Sequence, residues 1–80
     1  MSRVIDSEAH EALRRFLIEK RKAAGINQAD LGKKLRRPQS YVSDVERGQR
    51  IVSVVDLLLL ADALGFDPRK AIGQLQRGRR

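Results

Sequence analysis

The chain has no cysteine and only one histidine among its 80 residues. Without thiols it can form neither a disulfide bond nor a thiolate metal site, and a single histidine is too little for a zinc site. We therefore expect no metal and no cofactor. The absence of cysteine also fits the reducing cytoplasm.

Aromatic residues and long apolar runs are scarce as well. Two phenylalanines, one tyrosine and no tryptophan leave few platforms for stacking RNA bases. No apolar run approaches the roughly 20 residues of a membrane span, and the N-terminal ten residues contain no signal-peptide core. The sequence thus predicts a soluble, cytoplasmic protein that has no membrane partner.

Catalytic constellations are missing too. Ser40, Ser43, His10 and the scattered acids offer no nucleophile with a neighbouring base and an orienting group. There is no glycine-rich phosphate loop. We expect the protein not to be an enzyme.

Positive charge is abundant. Seventeen basic against ten acidic residues give a net charge of +7 and a pI near 10.8, which indicates a polyanionic partner such as nucleic acid. The length predicts a single domain, 1–80, near the lower limit for a stable core, so dimerisation is a natural source of further burial.

Apolar residues recur at helical spacing along the chain, and no strand pattern is present. Side chains suited to begin helices are present at Asp6 or Ser7, Asn27 and Ser53. Glycines stand at the predicted ends of three helices. The prediction is an all-α fold with a helical core over 7–76 and a basic, disordered tail over 77–80. The five predicted helices cover residues 7–24, 28–35, 38 or 39 to 48, 54–64, and 67 onward.

Residues 28–47 have the pattern of a helix-turn-helix. Gly32 falls where the following helix would crowd a side chain, and Pro38 lies between two helical segments, where it ends one and favours the start of the next. Two pairs of apolar residues, each pair one helical turn apart, mark the inner faces of the two helices: Leu31 and Leu35, Val42 and Val45.

The fourth helix is apolar on two sides and is therefore expected to be buried on both. On a helical wheel, the stripe expected to face the core consists of Val54, Leu57, Leu58, Ala61 and Leu64. A second stripe consists of Leu59, Leu60 and Ala63. It could face another copy of the chain or a different protein, or could be covered by helix 5 or the N-terminal segment. The expected dimer or partner surface consists of Leu59, Leu60, Ala63, Ile72 and Leu75.

The segments GINQADLGKKL, PQSYVSDVERGQR and LLLLADALGF resemble the Cro and phage-repressor class of helix-turn-helix proteins, also called the XRE type. The resemblance covers about residues 13–66. It implies a compact five-helix, lambda-repressor-like fold and sequence-specific binding of double-stranded DNA by a homodimer, in a prokaryotic or phage-like, nucleoid-associated setting.

By the same resemblance, Gln28 would anchor a phosphate, and Gln39, Ser40 and Asp44 would read base edges with Tyr41 and Ser43 beside them. Arg47 and Arg50 would touch the DNA backbone. Arg21 and Glu46 would form a partly buried ion pair between helices 1 and 3. The expected DNA-binding set is Gln28, Lys33, Arg37, Gln39, Ser40, Tyr41, Ser43, Asp44, Arg47 and Arg50.

Two features depart from the family pattern. Arg36 stands at the turn position usually held by glycine, which costs on the order of 1 kcal/mol if the left-handed geometry is kept. Arg36 and Arg37 both add positive charge beside the expected DNA face. Asp44 has two open roles: it could accept a hydrogen bond from cytosine N4, or it could have a capping or ion-pair role with Arg47 or Lys33.

Two functional hypotheses follow. The first is a dimeric repressor that recognises a two-fold symmetric operator through helix 3 in the major groove. The second is an antitoxin or small regulator whose main role is binding a protein partner, with DNA binding serving autoregulation.

Overall fold

A computed structural model of the chain describes residues 7–77, which form five helices and no strand. The predicted all-α fold is confirmed. The helices are α1 (Glu8–Ala23), α2 (Gln28–Leu35), α3 (Gln39–Glu46), α4 (Val54–Leu64) and α5 (Pro68–Arg77). Arg77, expected to begin the tail, is the last residue of α5, and residues 78–80 lie outside the described range.

Side-chain caps fix the starts of three helices as the sequence suggests. Ser7 Oγ accepts the His10 amide hydrogen at 3.0 Å, and Ser53 Oγ accepts that of Asp56 at the same distance. Asn27 Oδ1 accepts the Asp30 amide hydrogen at 2.8 Å. Each oxygen satisfies one of the amides that a helix start leaves unpaired. Asp6, the other candidate cap of α1, lies outside the described residues.

The core lies where α1, the helix-turn-helix and α4 meet, and α5 closes it against α1. Phe16 on α1 packs edge-to-face on Phe66, with ring centroids 5.0 Å apart. The buried apolar side chains are Leu13, Phe16, Leu17, Leu31, Tyr41, Val42, Val45, Leu57, Leu60, Ala61 and Ala71.

The predicted division of α4 into two stripes is wrong. Leu60, expected on the second stripe, lies in the core with only 2% of its surface exposed, whereas Val54 and Leu58, expected in the core, are 70% and 49% exposed. The helix packs against α2 and α5 through a narrow face centred on Leu57, Leu60 and Ala61. Its other face is left to solvent.

The turn between α2 and α3 is tight. Arg36 adopts the left-handed conformation, with φ 58° and ψ 42°, and it is the one residue other than glycine with positive φ in the described range. A Cβ atom on Gly32 would lie 2.8 Å from the Arg37 carbonyl oxygen and 3.3 Å from the Gln39 amide nitrogen. The close approach predicted at Gly32 is therefore made to the backbone that enters α3.

Within residues 7–77, no helix combines the length and apolar character needed to cross a bilayer.

Candidate nucleic-acid interface

The outward face of α3 is polar, and its inward face is apolar. Val42 and Val45 are buried in the core. Gln39 and Ser40, in the first turn, are exposed to solvent, and Ser43 and Asp44 are partly exposed. Because α3 is packed against α2 across a tight turn, it presents these short hydrogen-bonding side chains on a rigid support.

Basic side chains surround this face. Lys33 on α2 and Arg47 and Arg50 after α3 are exposed. Arg47 Nη2 lies 2.6 Å from Asp44 Oδ1. The structure thus pairs Asp44 with Arg47 rather than with Lys33, while leaving the second carboxylate oxygen open to other contacts.

A buried ion pair fixes the end of α3. Arg21 Nε donates to Glu46 Oε2 at 2.6 Å, and Arg21 Nη2 donates to Glu46 Oε1 at 3.1 Å. The two side chains are only 13% and 8% exposed. Hydrogen bonding to Glu46 raises the pKa of Arg21. Arg14 Nη1 adds a bond to the Glu46 carbonyl oxygen at 2.7 Å, so α1 holds α3 through both the side chain and the backbone of Glu46.

Gln28, the expected phosphate anchor, takes part in the same cluster. Its Nε2 donates to Glu46 Oε1 at 2.9 Å. This bond uses one of its two amide hydrogens and leaves one to donate elsewhere. Gln28 therefore serves first to join the start of α2 to the end of α3, a role that the sequence reading did not assign.

Tyr41, expected among the DNA-binding residues, is buried instead. The side chain is 5% exposed and belongs to the core, so it cannot reach a base without leaving its site. Burial and the neighbouring Asp56 carboxylate raise its pKa to about 12.

The guanidinium groups of Arg37 and Arg50 lie against the Tyr41 ring, 4.9 Å and 4.8 Å from its centroid. Arg37 also forms an ion pair with Asp56 of α4, with Nη2 3.3 Å from Oδ1. The sequence reading named both arginines but missed the contacts that hold them. No local spacing signals such contacts, because they join the turn, α3, the following loop and α4.

Five exposed apolar side chains lie on and just before α4, and the sequence reading assigned only one of them, Leu59, to the partner surface. We call this group the α4 outer surface: Ile51, Val54, Val55, Leu58 and Leu59. Of the expected partner surface, Leu59 and Ile72 are exposed, Ala63 and Leu75 pack partly against the core, and Leu60 is buried within it.

Among the described residues, no group of three or more metal-binding side chains lies together.

The family described as the helix-turn-helix domain matches residues 12–71. A solved XRE-family-like protein from Pseudomonas syringae pv. tomato is 36% identical with a TM-score of 0.80, over 86% of this chain and 84% of that one. The restriction-modification controller protein C.AhdI from Aeromonas hydrophila is 43% identical with a TM-score of 0.69, over 75% and 91%.

The clp gene regulator ClgR from C. glutamicum is 26% identical with a TM-score of 0.77, over 90% of this chain and 94% of that one. No curated protein sequence matches the chain. The family match covers most of the five-helix fold, and the expected resemblance is confirmed. The chain belongs to the XRE-type helix-turn-helix family of DNA-binding transcriptional regulators.

Proposed function

We propose that the protein is a dimeric repressor that reads a two-fold symmetric operator with α3 in the major groove. The observation that carries this proposal is the front of α3, where Gln39 and Ser40 stand exposed on a helix whose other side is locked in the core. Base edges in the major groove present donors and acceptors that such side chains can match.

The surrounding charges suit the same docking. Phosphate contacts supply most of the affinity of a DNA-binding protein and set its register, while base contacts supply specificity. Lys33, Arg47 and Arg50 are exposed, and we expect them to contact phosphates beside the groove. The Arg21–Glu46 pair supports this arrangement indirectly because it fixes the end of α3.

A second copy of the chain is the occupant that we assign to the α4 outer surface. The charged residues between Arg50 and Arg69 are all acidic: Asp56, Asp62 and Asp67. This is the stretch of a strongly basic chain where two copies can meet without bringing their positive charges together. A two-fold pair of this motif requires half-sites about 34 Å apart on one face of the duplex.

The relatives support a regulatory role. ClgR is described as a regulator of the clp gene, and C.AhdI is described as the controller protein of a restriction-modification system. A small chain that occupies a promoter would repress by excluding other proteins from it.

Removal of the α3 side chains tests base reading. Gln39→Ala should reduce the preference for an operator duplex over a scrambled one by about 1 to 3 kcal/mol, the value for a bidentate contact. Ser40→Ala should reduce it by less, because a single hydroxyl does not make a bidentate contact. Gel-shift titration measures both affinities. Gln74→Ala, which removes an exposed glutamine from α5, is the matched control. Unchanged preference in both α3 variants would refute base reading by these residues.

A second candidate function also uses the α4 outer surface. A different protein could cover it, as in an antitoxin or a small regulator held by a partner. Sedimentation of the pure protein in the tens of micromolar separates the two: a dimer supports the repressor, and a monomer supports the partner-binding protein.

A further inference from the structure

Tyr41 lies behind the proposed DNA face. Its ring is within 5 Å of two guanidinium groups, yet its own side chain is buried. Arginine over an aromatic ring is attracted by the negative face of the π system. Tyr41 therefore restrains two cations that differ in origin, one from the α2–α3 turn and one from the loop after α3.

The restraint on Arg37 is strengthened from a second side. Asp56 holds one terminal nitrogen in an ion pair, while Nη1 is buried and has no hydrogen-bond partner within residues 7–77. About a third of the Arg37 side chain remains exposed. Arg50 is exposed and has no ion pair within the same range. Its contact with the Tyr41 ring is therefore the interaction that restrains it.

The two arginines border a common space. A cavity of about 250 Å³ is lined by Arg37, Pro38, Ser40, Tyr41, Asp44 and Arg50. Ser40 and Asp44 are two of the expected base-reading residues, so this cavity lies at the edge of the proposed reading surface. The negative charge of Asp44 in its wall is offset by Arg47.

We propose that Tyr41 is a positioning residue for DNA binding, whose ring holds Arg37 and Arg50 ready to contact the phosphate backbone beside α3. An arginine that is already ordered loses less rotamer freedom when it binds. Tyr41 itself touches no DNA. The proposal rests on the proposed function only in that the ligand is double-stranded DNA, and it does not require base reading or dimerisation.

The test uses a random-sequence duplex at low salt, because phosphate contacts are independent of sequence. Tyr41→Leu should weaken binding of this duplex about tenfold by fluorescence anisotropy, since two arginines must then be ordered on binding. Tyr41→Phe keeps the ring and should bind like the wild type. Arg69→Ala, which removes an exposed arginine that also pairs with an aspartate, is the control for charge loss in the arginine variants described next.

A double-mutant cycle separates positioning from stability. In a background with Arg37→Ala and Arg50→Ala, the further change Tyr41→Leu should have little effect on affinity, because its effect acts through those arginines. An equal tenfold loss in both backgrounds would overturn the proposal. Arg37→Ala alone should lower the slope of log affinity against log salt by about 0.9, the value for one phosphate contact.

A measurement on the wild type covers the case in which Tyr41→Leu does not fold. NMR order parameters of the Arg37 and Arg50 Nε–H groups in the DNA-free protein should resemble the backbone more than that of Arg36, which is exposed and has no ion pair within residues 7–77. Values as low as that of Arg36 would overturn the proposal. If the wild type showed no sequence preference while Tyr41→Leu still weakened binding of the random duplex, the result would count against the proposed repressor and leave the role of Tyr41 intact.

Discussion

At the scale of single residues, Glu46 carries the most consequential contacts. Its carboxylate receives hydrogen bonds from Arg21 and Gln28, and its carbonyl oxygen receives one from Arg14. Breaking a buried pair leaves a carboxylate with too few donors, which is costly because the charge has been removed from water. The side chain and carbonyl oxygen of Glu46 therefore join α3 to both α1 and α2, in addition to the apolar packing of Val42 and Val45.

Arg21→Ala should lower the free energy of unfolding by about 3 kcal/mol, the lower end for a broken buried pair. For a domain of this size, that lowers the melting temperature by more than about 10 °C. Thermal unfolding followed by circular dichroism measures it. Lys22→Ala is the control because Lys22 is exposed, whereas Lys20 contacts the Phe16 ring. Equal melting temperatures for the two variants would show that the pair contributes nothing.

Tyr41 gives a direct optical readout because it is the single tyrosine of the chain. Burial raises its pKa to about 12, above the value of about 10 for an unfolded chain. The neutral phenol thus stabilises the fold fully below about pH 10, and this stability is lost as the pH rises toward 12. Phenolate absorbance of the folded protein should titrate near pH 12. Titration near pH 10 with native circular dichroism would contradict the burial.

At the scale of elements, the helices and their starts follow from local patterns. Ser7, Asn27 and Ser53 begin helices in the structure because a capping oxygen acts within three residues. The Arg21–Glu46 pair was expected from a family resemblance, since its partners are 25 positions apart in sequence. The turn kept its left-handed geometry at Arg36 although arginine is poorly suited to it.

Features that depend on how elements pack were not predictable in the same way. The exposed and buried faces of α4 were confused because every position from Leu57 to Leu60 is leucine, so the sequence does not distinguish the side that meets α2 and α5. Tyr41 was assigned to DNA from the family resemblance, and local spacing does not settle which way a tyrosine on α3 faces. Only the tertiary fold shows that its ring turns inward.

Two glycines in helices should respond oppositely to alanine. Gly32→Ala places a Cβ 2.8 Å from the Arg37 carbonyl oxygen, so the α2–α3 turn must shift, at a cost of about 1 to 3 kcal/mol. Gly73→Ala meets only the end of the Arg77 side chain, at 3.5 Å, and should stabilise α5 by about 0.5 to 1 kcal/mol. Urea unfolding of both variants measures this. A free energy of unfolding that is unchanged in Gly32→Ala would contradict the tight turn.

At the scale of the whole molecule, charge and apolar exposure occupy different parts of the surface. The basic side chains around α3 suit a polyanion, while the α4 outer surface carries five exposed apolar residues and no positive charge. Clustered exposed apolar residues are typical of protein contact sites. A dimer joined at α4 would leave both α3 helices available.

Leu58→Asp should convert the proposed dimer into a monomer, because two copies of a new carboxylate would be brought together in an apolar contact. Ile72→Asp places the same charge on exposed Ile72 of α5 and should leave the dimer intact. Sedimentation velocity over a concentration series measures both. A monomer only in the Ile72→Asp variant would assign the contact to α5 instead.

The most direct test of the central claim, that α3 reads base edges for a symmetric pair of subunits, is selection of binding sites from a random double-stranded DNA pool. The selection should be repeated at about 50 and about 200 mM salt, a range over which phosphate contacts weaken strongly. We expect a two-fold symmetric sequence with half-sites one helical turn apart to be enriched at both concentrations. Binding without sequence preference that disappears at the higher salt would contradict the claim.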